Sequence, residues 1–355
     1  MTRCVQRPLI LALLALSCAG PLDRTPAVDD LAGAVRLRLV AGNLSSGNNQ
    51  TWDAGEGLRI LRGLHPDVVM VQEFNYGAGT YQSFADSVCG APCYYARETV
   101  AGSGTIPNGV VSRYPIKSSG RWTDSSVSNR GFAWARIDIP GPTDLWVVSV
   151  HLLTDTTRHA TEGSELVDDI RALVPAGDYV AIGGDFNTAL RTDAAVTALG
   201  SIFVAGAPWP ADQAGNQNTN ASRGKPYDWV LVSGNLDALQ APVTVGASSF
   251  SGGLVADTRV YTPIADLAPA LATDSAAVNM QHMAVVKDFV LAADAPPPAS
   301  ITVTSPNGGE KLAAGSPQKI TTLHEIFRVI GPRLHQIREL GPVELAFLVV
   351  LAAEQ

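Results

Sequence analysis

The stretch Val180-Ala181-Ile182-Gly183-Gly184-Asp185-Phe186-Asn187-Thr188 decides how this chain is interpreted. An apolar run leads into two glycines, which allow a tight bend and a close approach of the backbone. Asp185 and Asn187 are two positions apart, so in an extended chain their side chains face the same way. A carboxylate beside a carboxamide suits a hard cation, a metal-bound water or a phosphate oxygen. The stretch predicts a strand that ends in a polar site, although a capped turn would explain the same residues.

Polar side chains stand at the ends of other apolar runs as well. The segments 35–41, 67–73 and 145–152 have the patterns of strands, as do 226–232 and 279–289. Helices are expected at 53–64 and 162–173, and surface loops at 206–224. Capping alone does not explain so many polar residues at strand ends. The site predicted in this way contains Asn43, Glu73, His151, Asp185, Asn187, Asp228 and His282.

These residue types supply the parts needed for metal-assisted hydrolysis of a phosphate ester. A carboxylate such as Glu73 can hold a divalent cation that neutralises charge on the phosphate. Several oxygen donors and no thiolate favour Mg²⁺ or Mn²⁺ over Zn²⁺. A histidine that is neutral near pH 7 can deprotonate water, and a second histidine with an asparagine can stabilise the charged transition state.

The same residues lie within phrases that resemble the endonuclease/exonuclease/phosphatase superfamily, which includes pancreatic-type DNases, abasic-site endonucleases, bacterial sphingomyelinases and inositol polyphosphate phosphatases. They follow the order and spacing of that family over roughly residues 35–291. Besides Asn43, the matching phrases are Val71-Gln72-Glu73, Asn108 to Ile116, Ser149-Val150-His151-Leu152, Gly184-Asp185-Phe186-Asn187, Tyr227-Asp228-Trp229-Val230 and His282-Met283-Ala284-Val285.

The resemblance implies an α/β fold, a four-layer α/β sandwich with two mostly antiparallel sheets packed face to face and outer helices. It implies that His282 is the general base, that His151 donates to a phosphate oxygen, and that Asp185 and Asn187 position the nucleophile and stabilise the transition state. The metal site would be formed by Glu73, Asn43 and Asp228. Contacts to the substrate phosphate would come from Asn108 and Arg113.

One position departs from the pattern of the family. The resemblance places an aspartate immediately before the last histidine, where it would orient the imidazole, and this chain has Gln281. An amide can fix a tautomer, but it cannot stabilise an imidazolium as a carboxylate does. Either another carboxylate takes the role, with Asp274 as a candidate, or activity is reduced.

The N-terminal segment indicates export. Two arginines precede the apolar run 9–16, which is too short to span a bilayer, so residues 1–19 are expected to be an export signal and 20–34 a linker. Cleavage after Ala19 is one interpretation. The other is a lipoprotein that is lipidated at Cys18, which would anchor the protein in the cell envelope.

Two cysteines remain in the expected domain, Cys89 and Cys93. In an exported protein their spacing favours a local disulfide. A zinc half-site is the alternative, but no second Cys or His pair lies nearby in the sequence.

The C-terminal part has a different composition. Residues 292–300 are a Pro-rich linker, and 301–320 have the pattern of the first strand of a β-sandwich module. Residues 321–355 do not continue that pattern, so we expect a truncated or frame-shifted module followed by an atypical tail, to which we assign no function.

Composition limits the choice of partner only weakly. The formal net charge is −8 and the chain has no basic run, which does not predict strong nucleic-acid binding and does not exclude it. We expect an exported, monomeric phosphodiester hydrolase, with nucleic acid as the favoured substrate and phospholipid as the alternative. A degenerate cell-surface binding module is the hypothesis from another class, motivated by Gln281 and by the adjoining β-sandwich-like segment at 301–320.

Overall fold

Two β-sheets form the centre of the fold. The structure, a computed structural model, describes residues 34–45 and 50–292 and two short strands beyond them. The strands are β1 (Ala34–Gly42), β2 (Val68–Val71), β3 (Tyr94–Arg97), β4 (Gly109–Ser112), β5 (Ile116–Trp122), β6 (Phe132–Ile137), β7 (Leu145–His151), β8 (Tyr179–Asp185), β9 (Phe203–Val204), β10 (Asp228–Ser233), β11 (Gln240–Ala241), β12 (Val243–Val245), β13 (Ser248–Phe250), β14 (Leu254–Ala256), β15 (Ala284–Ala292), β16 (Val303–Ser305) and β17 (Thr321–Thr322).

Helices connect these strands and cover the sheets. The α-helices are α1 (Gln50–Ala54), α2 (Glu56–Leu64), α3 (Tyr81–Cys89), α4 (His159–Leu173), α5 (Ala194–Leu199) and α6 (Gly234–Asp237), and two 3₁₀ helices span Ile264–Leu267 and Asp274–Ala276. The helix predicted at 53–64 is interrupted at Gly55, whose φ of 93° lies in the left-handed region. The helix predicted at 162–173 begins three residues earlier, at His159.

The strand order gives two mixed sheets. The first sheet has the order β11-β15-β1-β2-β4-β3, with β14 also paired to β15, and the second has the order β5-β6-β7-β8-β10-β9. Strands β1 and β2 are parallel, as are β7 and β8. The other described pairs within these sheets are antiparallel. The prediction of two mostly antiparallel sheets is confirmed.

The period of two along each strand explains how the sheets pack. In β1, Leu37, Leu39 and Ala41 point into a buried layer that also contains Ala181 of β8 and Val230 of β10. Successive side chains of a strand point to opposite faces, so alternate residues of β1 can fill the space between the sheets while the others face the helices. The two sheets therefore pack face to face.

Helices cover the outer face of each sheet. Leu61 of α2 and Phe84 of α3 pack with Val69 of β2 on the first sheet. On the second sheet, α4 and α5 pack against the outward side chains of β7, β8 and β10, with Leu166 and Ile182 in the same buried cluster. This helix–sheet–sheet–helix order confirms the predicted four-layer sandwich.

Two segments near the site differ from their predictions. The last strand begins at Ala284 rather than at 279, so His282 lies in the segment that leads into β15. The region 206–224 is irregular, as predicted, but it is not merely a surface loop, because Thr219 is buried. The Thr219 hydroxyl accepts a hydrogen bond from the backbone N–H of Asp228 at 2.7 Å, and its carbonyl accepts one from Met283 at 2.7 Å. These bonds tie the loop to the residues that carry the site.

The predicted disulfide is confirmed, since Cys89 and Cys93 are bonded at the end of α3. The chain separates into two compact units, one ending at Leu291 and the other containing Pro140–Pro142 and the residues from Ala292 onward. In the second unit β16 and β17 pair antiparallel. Within the described ranges, no helix combines the length and apolar character needed to cross a membrane.

Several predictions concern segments that lie outside the described residues. They are the export signal at 1–19, lipidation at Cys18, most of the linkers at 20–34 and 292–300, and most of the segments 301–320 and 321–355.

Candidate active site

The predicted site residues gather at one edge of the two sheets. Asn43 and Glu73 follow β1 and β2 of the first sheet, whereas His151 and Asp185 are the last residues of β7 and β8 in the second. Asp228 opens β10 and is paired in register with Asp185. The site is therefore assembled from both sheets.

Asn43 connects the two sheets across this edge. Its side-chain Nδ2 donates to Glu73 Oε1 at 2.9 Å and lies 3.4 Å from Asp185 Oδ2. Its backbone N–H donates to Asp228 Oδ1 at 3.0 Å. One asparagine thus contacts three carboxylates, and all four residues are buried.

Both histidines of the site face carboxylates. Nε2 of His151 lies 3.3 Å from Asp185 Oδ2, and its Nδ1 lies 3.9 Å from Glu73 Oε1. Nδ1 of His282 lies 3.1 Å from Asp228 Oδ1 and 3.0 Å from Oδ2, with Asp185 Oδ2 at 3.7 Å. Both imidazoles thus contact the same oxygen of Asp185.

The carboxylate that orients His282 is Asp228. The doubt raised by Gln281 is therefore met by another carboxylate, as one of the two alternatives expected. That carboxylate is not the candidate Asp274, which forms an ion pair with Arg59 at 2.6 Å. Asp228 was expected to support the metal or the phosphate. It is 54 positions away from His282 in the chain, and only the packing of β10 beside the segment leading into β15 brings the two together.

Asn187 and Glu73 adopt backbone conformations that are unusual for side-chain-bearing residues. Their φ angles are 50° and 47°, in the left-handed region that costs free energy and tends to occur at functional sites. The backbone N–H of Asn187 donates to Asp185 Oδ1 at 2.8 Å, and its Nδ2 donates to the carbonyl of Leu152 at 2.9 Å. These bonds hold the turn after β8 in place beside His151.

Burial raises the pKa values of the two central carboxyl groups. It raises the pKa of Glu73 to about 7, against the hydrogen bond from Asn43, and the nearby charge of Asp185 acts in the same direction as burial. Burial also raises the pKa of Asp185 to about 6, and there His282 opposes the shift while Asp228 adds to it. Negative charge is thus crowded in a site with little water.

The two histidines respond to this environment in opposite ways. Burial lowers the pKa of His282, but the charges of Asp228 and Asp185 outweigh it and raise the value to about 9. Burial holds the pKa of His151 well below its usual value, and the positive charges of Arg130 and His282 lower it further. In the metal-free site at neutral pH, His282 is an imidazolium and His151 is neutral.

The donors present fit a hard divalent cation. Asn43 Oδ1 is buried and, among the described residues, accepts no hydrogen bond, and the neighbouring Glu73 supplies carboxylate oxygens. A second group of metal-ligating atoms, from Asp185, Asp228 and His282, lies within 4.8 Å of one another. We favour Asn43 and Glu73 as the ligands, because Nδ1 of His282 already donates to Asp228, whereas Asn43 leaves an acceptor free.

The two predicted phosphate contacts have different outcomes. Arg113 pairs with Asp67 at 3.3 Å, at the opposite end of β2 from Glu73, so its predicted role is wrong. Five residue steps through the intervening strand β4 place Arg113 about 17 Å along the sheet from Asn108. Asn108 lies at the same end of the sheet as Glu73, but its Nδ2 donates to the carbonyl of Gly131 at 2.7 Å. Its contact with phosphate stays a prediction.

Arg130 is a residue of the site that the sequence did not reveal. It is buried, and its guanidinium donates to the carbonyls of His151 and Leu152, the second at 3.0 Å. Burial lowers its pKa, although the charge of Asp185 counteracts the change. Arg130 contacts the site through the backbone carbonyls of His151 and Leu152, more than twenty positions away in the chain, so the local sequence did not indicate its role.

A model of the endonuclease/exonuclease/phosphatase family matches residues 58–251, so the chain belongs to that family, whose members are hydrolases of phosphate esters. Glu73, His151, Asp185, Asn187 and Asp228 lie within the matched segment. Asn43 and His282 lie outside it, and the structure adds them to the site.

Solved structures show the same resemblance. The human Nocturnin catalytic domain with bound sulfate is 15% identical, with 72% of this chain and 96% of that chain covered and a TM-score of 0.49. An endonuclease/exonuclease/phosphatase from Beutenbergia cavernae is 17% identical, with 76% and 74% covered and a TM-score of 0.48. Beta toxin from Staphylococcus aureus is 14% identical, with 71% and 99% covered and a TM-score of 0.45. No curated protein sequence matches the chain significantly.

Proposed function

We propose that this protein is an exported, Mg²⁺- or Mn²⁺-dependent phosphodiesterase, and that its substrate is nucleic acid. The observation that carries the proposal is the convergence of Asn43, Glu73, Asp185 and the His282–Asp228 pair at one buried edge. Two separated carboxylates, a carboxamide with a free oxygen and an oriented imidazole are the groups that hydrolysis of a phosphodiester requires.

In this mechanism His282 acts as the base that takes a proton from the attacking water. Asp228 fixes the imidazole through Nδ1 and stabilises the imidazolium that forms, which leaves Nε2 for the water. A divalent cation held by Glu73 and Asn43 would neutralise phosphate charge and lower the pKa of His282 towards neutrality. His151 stays neutral and donates a hydrogen bond to a phosphate oxygen.

Asp185 and Asn187 organise the space between the two histidines. Asp185 Oδ2 lies 3.3 Å from His151 and 3.7 Å from His282, so the carboxylate sits where a water between the imidazoles would be oriented. Asn187 is held against Leu152 by its Nδ2, which restricts its side chain beside that water. We assign these residues to positioning the nucleophile and stabilising the transition state.

The binding-module hypothesis loses its main support. It rested on Gln281 in place of a carboxylate, and Asp228 supplies the carboxylate that His282 needs. For export, the support is the basic and apolar character of residues 1–19 in the sequence. Nucleic acid is favoured over phospholipid because the irregular region at 206–224 carries Trp209 as its single tryptophan and no aromatic-rich hairpin suited to insertion in a lipid surface.

The test is turnover of plasmid DNA, bis(p-nitrophenyl) phosphate and sphingomyelin, each with Mg²⁺ or with EDTA. We expect DNA and the small diester to be cleaved only with metal, and cleavage to be lost in His282→Ala. His65→Ala is the matched control, because His65 is exposed at the end of α2, outside the site. Cleavage of sphingomyelin alone would show that the substrate is a phospholipid rather than nucleic acid. The absence of turnover on all three substrates would refute the proposal that the protein is an enzyme.

Export is tested separately by expressing the full chain in bacteria and fractionating the cells. We expect the protein in the envelope with a fatty-acid label that disappears in Cys18→Ser. An unlabelled, freely secreted product would show cleavage after Ala19 instead, and retention in the cytoplasm would refute export.

A further inference from the structure

The two halves of the site belong to different sheets, so their relative placement depends on how the sheets are joined. Glu73 follows β2 of the first sheet, and His151 and Asp185 end strands of the second. The layer between the sheets is largely apolar. Apolar contact is non-directional and tolerates small sliding movements. A site that needs carboxylates at fixed distances therefore requires directional contacts between the sheets, and Asn43 supplies one at the edge itself.

The buried side-chain amide of Gln72 supplies such a contact next to the site. Gln72 and Ser149 are both fully buried, on the faces of β2 and β7 that point towards the other sheet. Gln72 Nε2 donates to Ser149 Oγ at 2.8 Å and to the carbonyl of Met70 at 3.2 Å. The Ser149 hydroxyl donates in turn to the carbonyl of Val71 at 2.9 Å. We call Gln72 and Ser149, with Gly184, the intersheet clasp.

Gly184 is the third member of the clasp because it leaves the space that the amide occupies. A Cβ at this position would lie 2.4 Å from Gln72 Nε2 and 2.1 Å from the carbonyl of Val150. Its φ of 133° also lies in a region that side-chain-bearing residues rarely adopt. The glycine pair of β8 therefore lets the amide of Gln72 reach across to the second sheet.

Each member of the clasp is next to a side chain of the site. Gln72 precedes Glu73, whose φ is positive, and Gly184 precedes Asp185. Ser149 lies two positions before His151, on the same face of β7. A movement of the clasp would consequently shift Glu73 relative to Asp185 and His151.

The clasp is not explained by stability alone. Gln72 Oε1 is buried and has no hydrogen-bond partner among the described residues, and such an atom is costly. An apolar side chain of similar volume would avoid that cost and fill the same space. It would lose the bonds that fix the position of one sheet against the other.

We propose that Gln72 is a positioning residue, which sets the distance between the Glu73–Asn43 half of the site and the Asp185–His151 half. The inference rests on the proposed function for its effect on turnover. Its structural part, that the clasp holds the turn after β8 in place, does not depend on metal or substrate.

The test compares Gln72→Met, which keeps most of the volume and removes the bonds, with Val147→Ala. Val147 is a fully buried residue of the same intersheet layer and of the same strand as Ser149, so its truncation weakens packing without touching the clasp. With bis(p-nitrophenyl) phosphate, we expect Gln72→Met to lower kcat about 10- to 100-fold with little change in KM. Val147→Ala is expected to lower the melting temperature but to leave kcat nearly unchanged.

Two further measurements separate positioning from simple destabilisation. Mn²⁺ binding followed by electron paramagnetic resonance should weaken in Gln72→Met and not in Val147→Ala. The loss of kcat in the double variant Gln72→Met, Ser149→Ala should be smaller than the two single losses combined, because both changes break the Gln72–Ser149 bond, while only Ser149→Ala also removes the bond to Val71. Equal kcat in Gln72→Met and wild type, or a fully additive loss in the double variant, would overturn the proposal.

Hydrogen exchange in EDTA decides the inference even if the proposed function fails. The amide of Asn187 is protected by its bond to Asp185 in the turn after β8. We expect its exchange to accelerate in Gln72→Met and to stay at the wild-type rate in Val147→Ala. If the wild type is inactive but the Asn187 amide exchanges faster only in Gln72→Met, the phosphodiesterase proposal is refuted and the proposal for the clasp stands. An unchanged exchange rate in Gln72→Met would refute the proposal for the clasp.

Discussion

Replacing Asp228 with asparagine removes one charge from the site and keeps most of its shape. An asparagine oxygen can still accept from the backbone N–H of Asn43 and from Nδ1–H of His282, the two bonds that Asp228 Oδ1 accepts now. The backbone bond from Asp228 N to Thr219 does not involve the side chain. Asp228→Asn is therefore a test of charge rather than of packing.

The size of the effect follows from the pKa of His282. The pKa rises from 6.5 to about 9 although burial lowers it, and the charge of Asp228 is the largest of the effects that raise it. Such a rise corresponds to about 3 kcal/mol in favour of the imidazolium. Without the charge of Asp228, burial should dominate, and we expect the pKa of His282 to fall by ~2 pH units or more.

The assay is a titration of the imidazole resonances by NMR in EDTA, so that bound metal does not contribute. Comparison with His282→Ala assigns the resonance, and His65 serves as the internal reference, since it lies at the end of α2, outside the site. A pKa that stays near 9 in Asp228→Asn would show that another group holds the charge of His282. In the proposed mechanism the same variant should lower kcat by about 10³- to 10⁴-fold, by analogy with the aspartate of hydrolase triads.

Two other expectations concern stability. Glu162 is fully buried, and burial, followed by the charge of Asp124, raises the pKa of its carboxyl group to about 8. The contribution of the protonated carboxyl group to the free energy of unfolding is complete below pH ~4.5 and is lost as the pH rises through 8. This contribution is at most about 5 kcal/mol. Glu162→Gln keeps the acceptor for the N–H of Leu153 but cannot ionise. The free energy of unfolding in urea should therefore differ less between pH 5 and pH 8 than it does in wild type. An equal difference would show that Glu162 is not the source of the pH dependence. Mg²⁺ at 100 times its dissociation constant should stabilise the protein by about 3 kcal/mol at pH 7.5 in thermal unfolding. Glu73→Gln should abolish that gain, and a gain of equal size would exclude Glu73 as a ligand.

The layers of the fold could be predicted from the sequence because they depend on local periodicity. Alternating residues such as Leu37, Leu39 and Ala41 define a strand face wherever the strand is placed. The same holds for the side chains at strand ends, and Glu73 and Asp185 lie where the pattern put them. The strand boundary before His282 was wrong because 279 lies in a turn and His282 forms an isolated bridge with Asn220 of the 206–224 region, so pairing in the sheet begins only at Ala284.

The tertiary structure decided which groups of the site contact one another. The partner of His282 is Asp228 rather than its neighbour Gln281, because the packing of strands far apart in sequence determines which carboxylate faces the imidazole. For the same reason the sequence did not indicate that Arg113 lies at the end of the sheet opposite the site, or that Gln72 contacts Ser149 of the other sheet. Residue types and their spacing therefore determined which groups are available at the strand ends. Hydrogen bonds and charges act over a few ångströms, so only the packed sheets determined which of these groups meet and what pKa values they have.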